Sequence, residues 1–129
     1  MDTTAAHHDL RVLVVDDDPK LAALLARGLR ELGMHSEAVL SGEDALERAL
    51  ASRFDVILLD VLLPGIDGIE TCRLLRERGC TSAVVFLTAH WDLADAGEAG
   101  TPAGADSIFP KPFSFDELAG RVRQLGAAA

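Results

Sequence analysis

The stretch that decides the fold is residues 54–68, FDVILLDVLLPGIDG, in which an apolar run leads directly to Asp60. The run at 55–59 lacks any alternation of apolar and polar residues, which favours a strand buried on both faces, as in a parallel sheet covered by helices. Pro64 has no N–H with which to continue a ladder, so the strand must end before it. Asp60 is therefore predicted at the carboxyl end of a central strand, the edge where open α/β sheets bind ligands.

The rest of the chain alternates between short apolar runs and segments with helical spacing of apolar residues. The other predicted strands are residues 10–15, 35–39, 82–87 and 107–109. Helices are predicted to begin after Asp18, Ser41, Asp67 and Ser114. Each of these side chains can accept a hydrogen bond from the first turn of a helix. This alternation predicts an α/β fold: a flavodoxin-like, doubly wound sheet of five parallel strands in the order 2-1-3-4-5, with helices on both faces.

The interval between Thr88 and Lys111 departs from this regular pattern. It contains residues that interrupt helices, namely Gly97, Gly100, Pro102 and Gly104. The fourth helix is therefore expected to be short or irregular and to lie within residues 92–99.

Length and composition favour one globular domain. The chain has 129 residues, 49% of them hydrophobic and 26% charged, which is enough to bury a single core. We assign residues 10–126 to this domain, with 1–9 and 127–129 as tails. No apolar run approaches the ~20 residues that span a bilayer, and residues 1–9 lack the apolar core of a signal peptide. A cytoplasmic location without membrane association is expected.

Charge and cysteine content exclude further classes of function. A net charge of −9 disfavours direct binding of nucleic acid, which requires Lys and Arg to neutralise phosphates. Cys72 and Cys80 have no third Cys or nearby His, so they make no metal set and are interpreted as plain thiols.

Acidic residues follow two strands that this topology makes neighbours. Asp16 and Asp17 come after the first strand and are expected to face Asp60. Three carboxylates repel one another unless a cation neutralises them. Because the donors are all oxygen, a hard divalent ion is favoured, and Mg²⁺ is the best match.

Thr88 and Lys111 are brought to the same edge by the fourth and fifth strands. They add a hydroxyl donor and a fixed positive charge, a combination suited to phosphate chemistry. In that setting a carboxylate can act as a nucleophile and form an aspartyl phosphate.

These motifs together resemble the receiver domain of a bacterial two-component response regulator, over residues 10–125. The matching segments are residues 14–17 (VVDD), 58–60 (LLD) with Pro64 and Gly68, 87–89 (LTA) and 111–113 (KPF). The resemblance implies that Asp60 is the phosphoacceptor. It also implies a Mg²⁺ site in which Asp17 is a direct ligand and Asp16 a ligand largely through water. Asp60 and the backbone carbonyl of Leu62 would complete the protein's share of the metal ligands.

The same resemblance implies that Thr88 and Lys111 contact the phosphoryl group and that the Lys111–Pro112 bond is cis. One position departs from the family pattern. Members of the family commonly carry Tyr or Phe three residues before the lysine, as a rotating switch, whereas this chain has Ile108 there. Phe109 comes next and is expected to face the opposite side of the strand.

The partners implied are a sensor histidine kinase or histidine phosphotransfer protein as donor, and an output protein or an effector domain outside this stretch. A phosphorylation-dependent dimer is compatible with the resemblance. Such a domain is not an enzyme in the ordinary sense, because it catalyses only its own phosphorylation and slow dephosphorylation. Whether these residues form a stand-alone protein or part of a longer regulator stays open.

Two other functions compete with this interpretation. A receiver-like interaction module could signal without phosphate, an alternative motivated by Ile108 and by the glycine-rich interval before Lys111. A hydrolase resembling the haloacid dehalogenase class could use an aspartyl-phosphate intermediate. That class needs an acid two residues after the nucleophile, where this chain has Leu62, and the sequence contains no GxxxxGK nucleotide loop.

Overall fold

The computed structural model describes residues 9–89 and 102–128. Within them, five strands form one parallel sheet in the order β2-β1-β3-β4-β5. The strands are β1 (Arg11–Val15), β2 (His35–Val39), β3 (Val56–Asp60), β4 (Ala83–Thr88) and β5 (Ser107–Pro110). The helices are α1 (Pro19–Glu31), α2 (Gly42–Ala51), α3 (Gly68–Glu77), a 3-10 turn (Pro102–Gly104) and α4 (Phe115–Ala128). The predicted fold and strand order are confirmed.

The sequence signals for helix starts act as predicted. Asp18 Oδ1 accepts from the backbone N–H of Lys20 at 3.0 Å, and Ser41 Oγ from that of Asp44 at 3.0 Å. Asp67 Oδ1 accepts from the N–H of Glu70 at 2.8 Å. Ser114 Oγ accepts from the N–H of Glu117 at 3.3 Å. Each bond satisfies a donor that a helix leaves unpaired in its first turn.

Element ends differ from the sequence prediction by one or two residues. Leu10 lies outside β1, and β5 continues through Pro110. Pro110 stays in the strand because its missing N–H is not needed there: the next residue, Lys111, donates its N–H to the Thr88 carbonyl at 2.7 Å. Helix α4 runs to Ala128, so residues 127 and 128, assigned above to a tail, are helical. The helix expected within 92–99 lies outside the described residues.

The sheet carries an apolar layer on each face, and each layer is covered by two of the described helices. Helices α1 and α4 pack on one face with buried side chains such as Leu25, Leu29, Leu118 and Val122. Helices α2 and α3 pack on the other with Ala45, Cys72 and Leu75. All five residues of β3 are buried, as the unbroken apolar run in the sequence predicts. No helix of the described part is long and apolar enough to cross a membrane.

Strand register determines which polar residues meet at the carboxyl edge. Val15 pairs with Leu59, so Asp16 and Asp60 follow side by side. Asp60 pairs with Leu87, and Thr88 pairs with Pro110. The residues that follow these pairs, including Lys111, therefore lie at a single edge of the sheet.

Candidate functional site

Three carboxylates meet at this edge. One oxygen from each of Asp16, Asp17 and Asp60 can be chosen so that all three lie within 4.8 Å of one another. Asp16 and Asp60 are buried, with 1% and 7% of their surface exposed, whereas Asp17 is exposed. The cluster is thus anchored in the sheet and open to solvent on the side of Asp17.

The ammonium group of Lys111 bridges the two buried carboxylates. Its Nζ lies 3.0 Å from Asp16 Oδ2 and 3.4 Å from Asp60 Oδ2. The remaining oxygens accept from the backbone: Asp16 Oδ1 from the N–H of Asp18 at 2.9 Å, and Asp60 Oδ1 from the N–H of Leu62 at 3.3 Å. These contacts fix the orientation of both carboxylates.

The electrostatics of the site follow from burial and from close charges. Burial raises the pKa of Asp60 above its usual value; the Lys111 charge opposes this, and the negative charge of Asp16 adds to it. Burial alone would lower the pKa of Lys111, but its hydrogen bond to Asp16 and the charges of both carboxylates raise it overall. Lys111 is therefore a cation at neutral pH, and the surroundings of Asp60 make its ionised form less favourable than it is in water.

We predict that Asp60 contributes a loss of stability in the metal-free protein as pH rises. Folded Asp60 keeps its proton to higher pH than unfolded Asp60, so its contribution to the free energy of unfolding falls from about pH 4 upward through the raised pKa. Asp60→Asn should remove this part of the slope. The measurement is urea unfolding across that range in EDTA, and parallel pH profiles for the two proteins would contradict the prediction.

The site fits a divalent cation. Three carboxylates and one ammonium leave two formal negative charges in a small volume. The donors are all oxygen, which favours a hard ion such as Mg²⁺ over ions that prefer nitrogen or sulfur. Asp17 is the carboxylate on the open side, while both oxygens of Asp16 already accept hydrogen bonds.

The remaining predicted residues border this cluster. Thr88 is buried at the end of β4, with 3% of its surface exposed. Leu62 follows Asp60 by two residues, with its side chain exposed and its N–H bonded to the Asp60 carboxylate. The Lys111–Pro112 bond is cis, as predicted.

Comparison with known families decides the identity of the domain. A family model described as the response regulator receiver domain matches residues 12–123. The chain belongs to the response regulator receiver family. Receiver domains are the signalling domains of two-component systems, so this chain is a signalling domain.

Individual relatives agree with this assignment. The transcriptional regulatory protein TcrA of Mycobacterium tuberculosis is 44% identical over 116 residues, which are 90% of this chain and 46% of TcrA. The Francisella response regulator 1452 receiver domain has a TM-score of 0.83 and 31% identity, over 93% of this chain and 98% of that one. TrrA of Thermotoga maritima, solved in complex with Mg²⁺-BeF, has a TM-score of 0.78 and 34% identity, over 90% and 98%. The chain spans about half the length of the curated relatives it matches.

The receiver's two β5 residues before Pro110 face opposite sides, as predicted. Ile108 packs with the layer beneath α2 and α3, and Phe109 packs with the layer beneath α1 and α4. Phe109 makes an edge-to-face contact with Phe113, with ring centroids 6.3 Å apart, and the Arg121 guanidinium lies 5.6 Å from its centroid. The aromatic side chain of this strand is therefore held on the α4 side of the receiver.

Sequence reasoning missed one residue that contacts the edge of the site. Glu43 Oε2 accepts from the N–H of Ile66, in the segment that follows Asp60, at 3.2 Å. The two residues are 23 positions apart, and Glu43 lies in the first turn of α2. No local pattern predicts such a contact.

Proposed function

We propose that residues 10–126 form a receiver that accepts a phosphoryl group on Asp60 in a Mg²⁺-dependent reaction and relays a conformational signal to an output partner. The observation that carries this proposal is the cluster of Asp16, Asp17 and Asp60, in which the Lys111 ammonium bridges Asp16 and Asp60. A buried carboxylate beside a fixed cation and two further acids has the parts that phosphoryl transfer needs.

In the proposed reaction a carboxylate oxygen of Asp60 forms a bond to phosphorus as the bond to the donor breaks. With a phosphohistidine donor the P–N bond breaks, and its electron pair leaves with the imidazole. Mg²⁺ would be held by Asp17 directly, by Asp16 largely through water, by Asp60 and by the Leu62 carbonyl. When bound, this ion neutralises charge on the phosphoryl oxygens. Lys111 and the Thr88 hydroxyl would bind the remaining phosphoryl oxygens.

Charge explains how the reaction could produce a signal. In the unphosphorylated protein the Lys111 ammonium is shared by Asp16 and Asp60. Phosphorylation converts the Asp60 carboxylate to an acyl phosphate and moves the negative charge outward onto the phosphoryl oxygens. Lys111 and Thr88 would follow that charge, and the ends of β4 and β5 would move with them.

We infer that the phosphoryl donor is a histidine kinase or a histidine phosphotransfer protein. An apolar cavity of about 400 Å³ opens beside the site, lined by Leu21, Ala89, Lys111, Pro112 and Phe113. Such a surface suits a partner that must place a phosphohistidine over Asp60 and exclude water. The net charge of −9 disfavours direct binding of nucleic acid by this chain.

The output is proposed to be an effector outside residues 10–126, either attached or separate, and a phosphorylation-dependent dimer is one form the active state could take. TcrA is a transcriptional regulatory protein about twice as long as this chain. This relative supports an effector that regulates transcription.

We predict that acetyl phosphate with Mg²⁺ adds one phosphoryl group to the purified protein, and that EDTA prevents the addition. Intact mass measures the gain, and borohydride reduction followed by peptide mass locates it at Asp60. If neither acetyl phosphate nor a phosphohistidine protein labels the chain, although Mg²⁺ binds, the alternative of a receiver-like module that signals without phosphate gains support.

A further inference from the structure

We propose that Glu43 is a positioning residue for the metal site, acting through the segment 61–67 that contains Leu62. This inference rests on the proposed function, in which the Leu62 carbonyl is a Mg²⁺ ligand. Glu43 itself contacts neither the three carboxylates nor Lys111 in any hydrogen bond or ion pair that the described residues record. Its effect would reach the site through backbone geometry.

The first observation is a direct tether between helix α2 and this segment. Glu43 is the second residue of α2, and its Oε2 accepts from the N–H of Ile66 at 3.2 Å. The start of α2 also packs against the same residue: a Cβ added to Gly42 would lie 2.8 Å from Ile66 Cγ1 and 3.0 Å from the Ile66 carbonyl oxygen. Helix α2 and the turn at Ile66 are therefore in close contact at two places.

The second observation is the space that the Glu43 carboxylate takes beside Gly65. A Cβ added to Gly65 would lie 2.6 Å from Glu43 Oε2, closer than real Cβ contacts allow. Gly65 also has φ +75°, a conformation that L side chains rarely adopt. The backbone conformation therefore favours glycine at position 65, and a side chain there would displace the Glu43 carboxylate.

The ends of the segment are fixed by the sheet and by α3. Val61 donates its N–H to the Leu87 carbonyl at 3.0 Å, and Gly68 donates to the Val61 carbonyl at 2.8 Å. The Glu43 contact adds an anchor at Ile66, between the two ends. Leu62 lies between these anchors, and its N–H is bonded to Asp60 Oδ1. The direction of the Leu62 carbonyl therefore depends on how well the whole turn is held.

By holding the turn in place, the Glu43 contact is expected to increase the affinity of the site for Mg²⁺. A ligand on a loosely held turn must be ordered when the ion binds, and that cost is subtracted from the binding free energy. Partners that orient metal ligands commonly change affinity by roughly 10–100-fold when removed. Because Glu43 acts on one backbone ligand beside three carboxylates, we expect an effect at the lower end of that range.

The proposed positioning role of Glu43 must be distinguished from a general electrostatic effect on helix α2. An acid in the first turn of a helix interacts favourably with the helix dipole, whatever it contacts. Asp44 supplies a matched control, because it is exposed, carries the same charge and occupies the same turn of α2. Substituting Asp44 should reproduce any loss due to the dipole or to net charge alone.

The experiment compares Glu43→Ala, Glu43→Gln and Asp44→Ala with the unaltered protein. Calorimetry gives the Mg²⁺ dissociation constant, and NMR hydrogen exchange of the Ile66 amide in metal-free protein reports the tether. We expect Glu43→Ala to raise the dissociation constant roughly tenfold and to speed exchange at Ile66. Glu43→Gln should restore most of both, because its amide oxygen can accept the same bond. Asp44→Ala should change neither by more than about twofold.

The outcomes distinguish this inference from the proposed function. If the unaltered protein binds no Mg²⁺, the metal part of the proposed function fails. If it binds Mg²⁺ and Glu43→Ala leaves the dissociation constant unchanged, Glu43 is not a positioning residue. Equal losses in Glu43→Gln and Glu43→Ala, or in Asp44→Ala and Glu43→Ala, would assign the effect to charge and overturn the inference as well.

Discussion

Asp60→Asn is expected to abolish phosphorylation by acetyl phosphate or by a phosphohistidine donor. A neutral amide oxygen is a much poorer nucleophile than a carboxylate, and an amide cannot form the acyl phosphate. The change should leave the fold intact, because Asn has almost the same shape, its one side-chain oxygen can still accept from either the N–H of Leu62 or Lys111, and Lys111 keeps its bond to Asp16. The rate is measured by intact mass with Mg²⁺ present, and the fold by circular dichroism.

The control for this prediction is Asp67→Asn, which changes an exposed acid that caps α3 close to the site. It carries the same change of charge but should leave the phosphorylation rate within a few fold, because asparagine caps helices about as well as aspartate. If Asp60→Asn still gains a phosphoryl group at the unaltered rate, Asp60 is not the phosphoacceptor. Labelling of another acid in Asp60→Asn alone would leave the assignment standing for the unaltered protein.

Local signals were sufficient to predict most of the fold. The unbroken apolar run of β3, the caps Asp18, Ser41 and Asp67, and the alternation of elements are all properties of neighbouring residues. Strand order followed because parallel strands joined by right-handed crossovers permit few arrangements. Boundaries were less exact, since strand ends depend on pairing partners. β5 extends through Pro110 because β4 offers Thr88 opposite it.

The site was predictable only to the level of which residues share an edge. Register brings Asp16, Asp60 and Lys111 together, but the bridging position of the ammonium depends on side-chain packing. Contacts between distant segments were not predictable. Arg76 of α3 donates to the carbonyls of Ser82 at 2.7 Å and Gly104 at 3.1 Å, and so holds the turn before β5. Glu43 makes the same kind of contact with Ile66. No local sequence pattern predicts the partners of either Arg76 or Glu43.

Substitutions of Asp16 and Asp17 are expected to differ in their effects on Mg²⁺ binding and on the stability of the fold. Asp17→Asn should weaken Mg²⁺ binding at least ~10-fold, because the exposed carboxylate on the open side is the proposed direct ligand. Its metal-free stability should stay the same or rise slightly, since one of three close negative charges is removed. Asp16→Asn should weaken Mg²⁺ binding less, because the proposed contact of Asp16 with the ion runs largely through water.

The effect on stability should have the opposite order, with Asp16→Asn losing more stability than Asp17→Asn. Both oxygens of Asp16 accept hydrogen bonds, from the Lys111 ammonium and from the N–H of Asp18, and the residue is 1% exposed. Replacing one oxygen by an NH₂ group sets a donor against one of these donors, which should lower the free energy of unfolding by about 1–3 kcal/mol. Calorimetry and urea unfolding of the same two variants, in protein first stripped of metal, measure the two effects. Equal losses of Mg²⁺ affinity in both variants would contradict the assignment of Asp17 as the direct ligand, whereas an Asp16→Asn protein as stable as the original would mean that the Lys111 bridge contributes little to the fold.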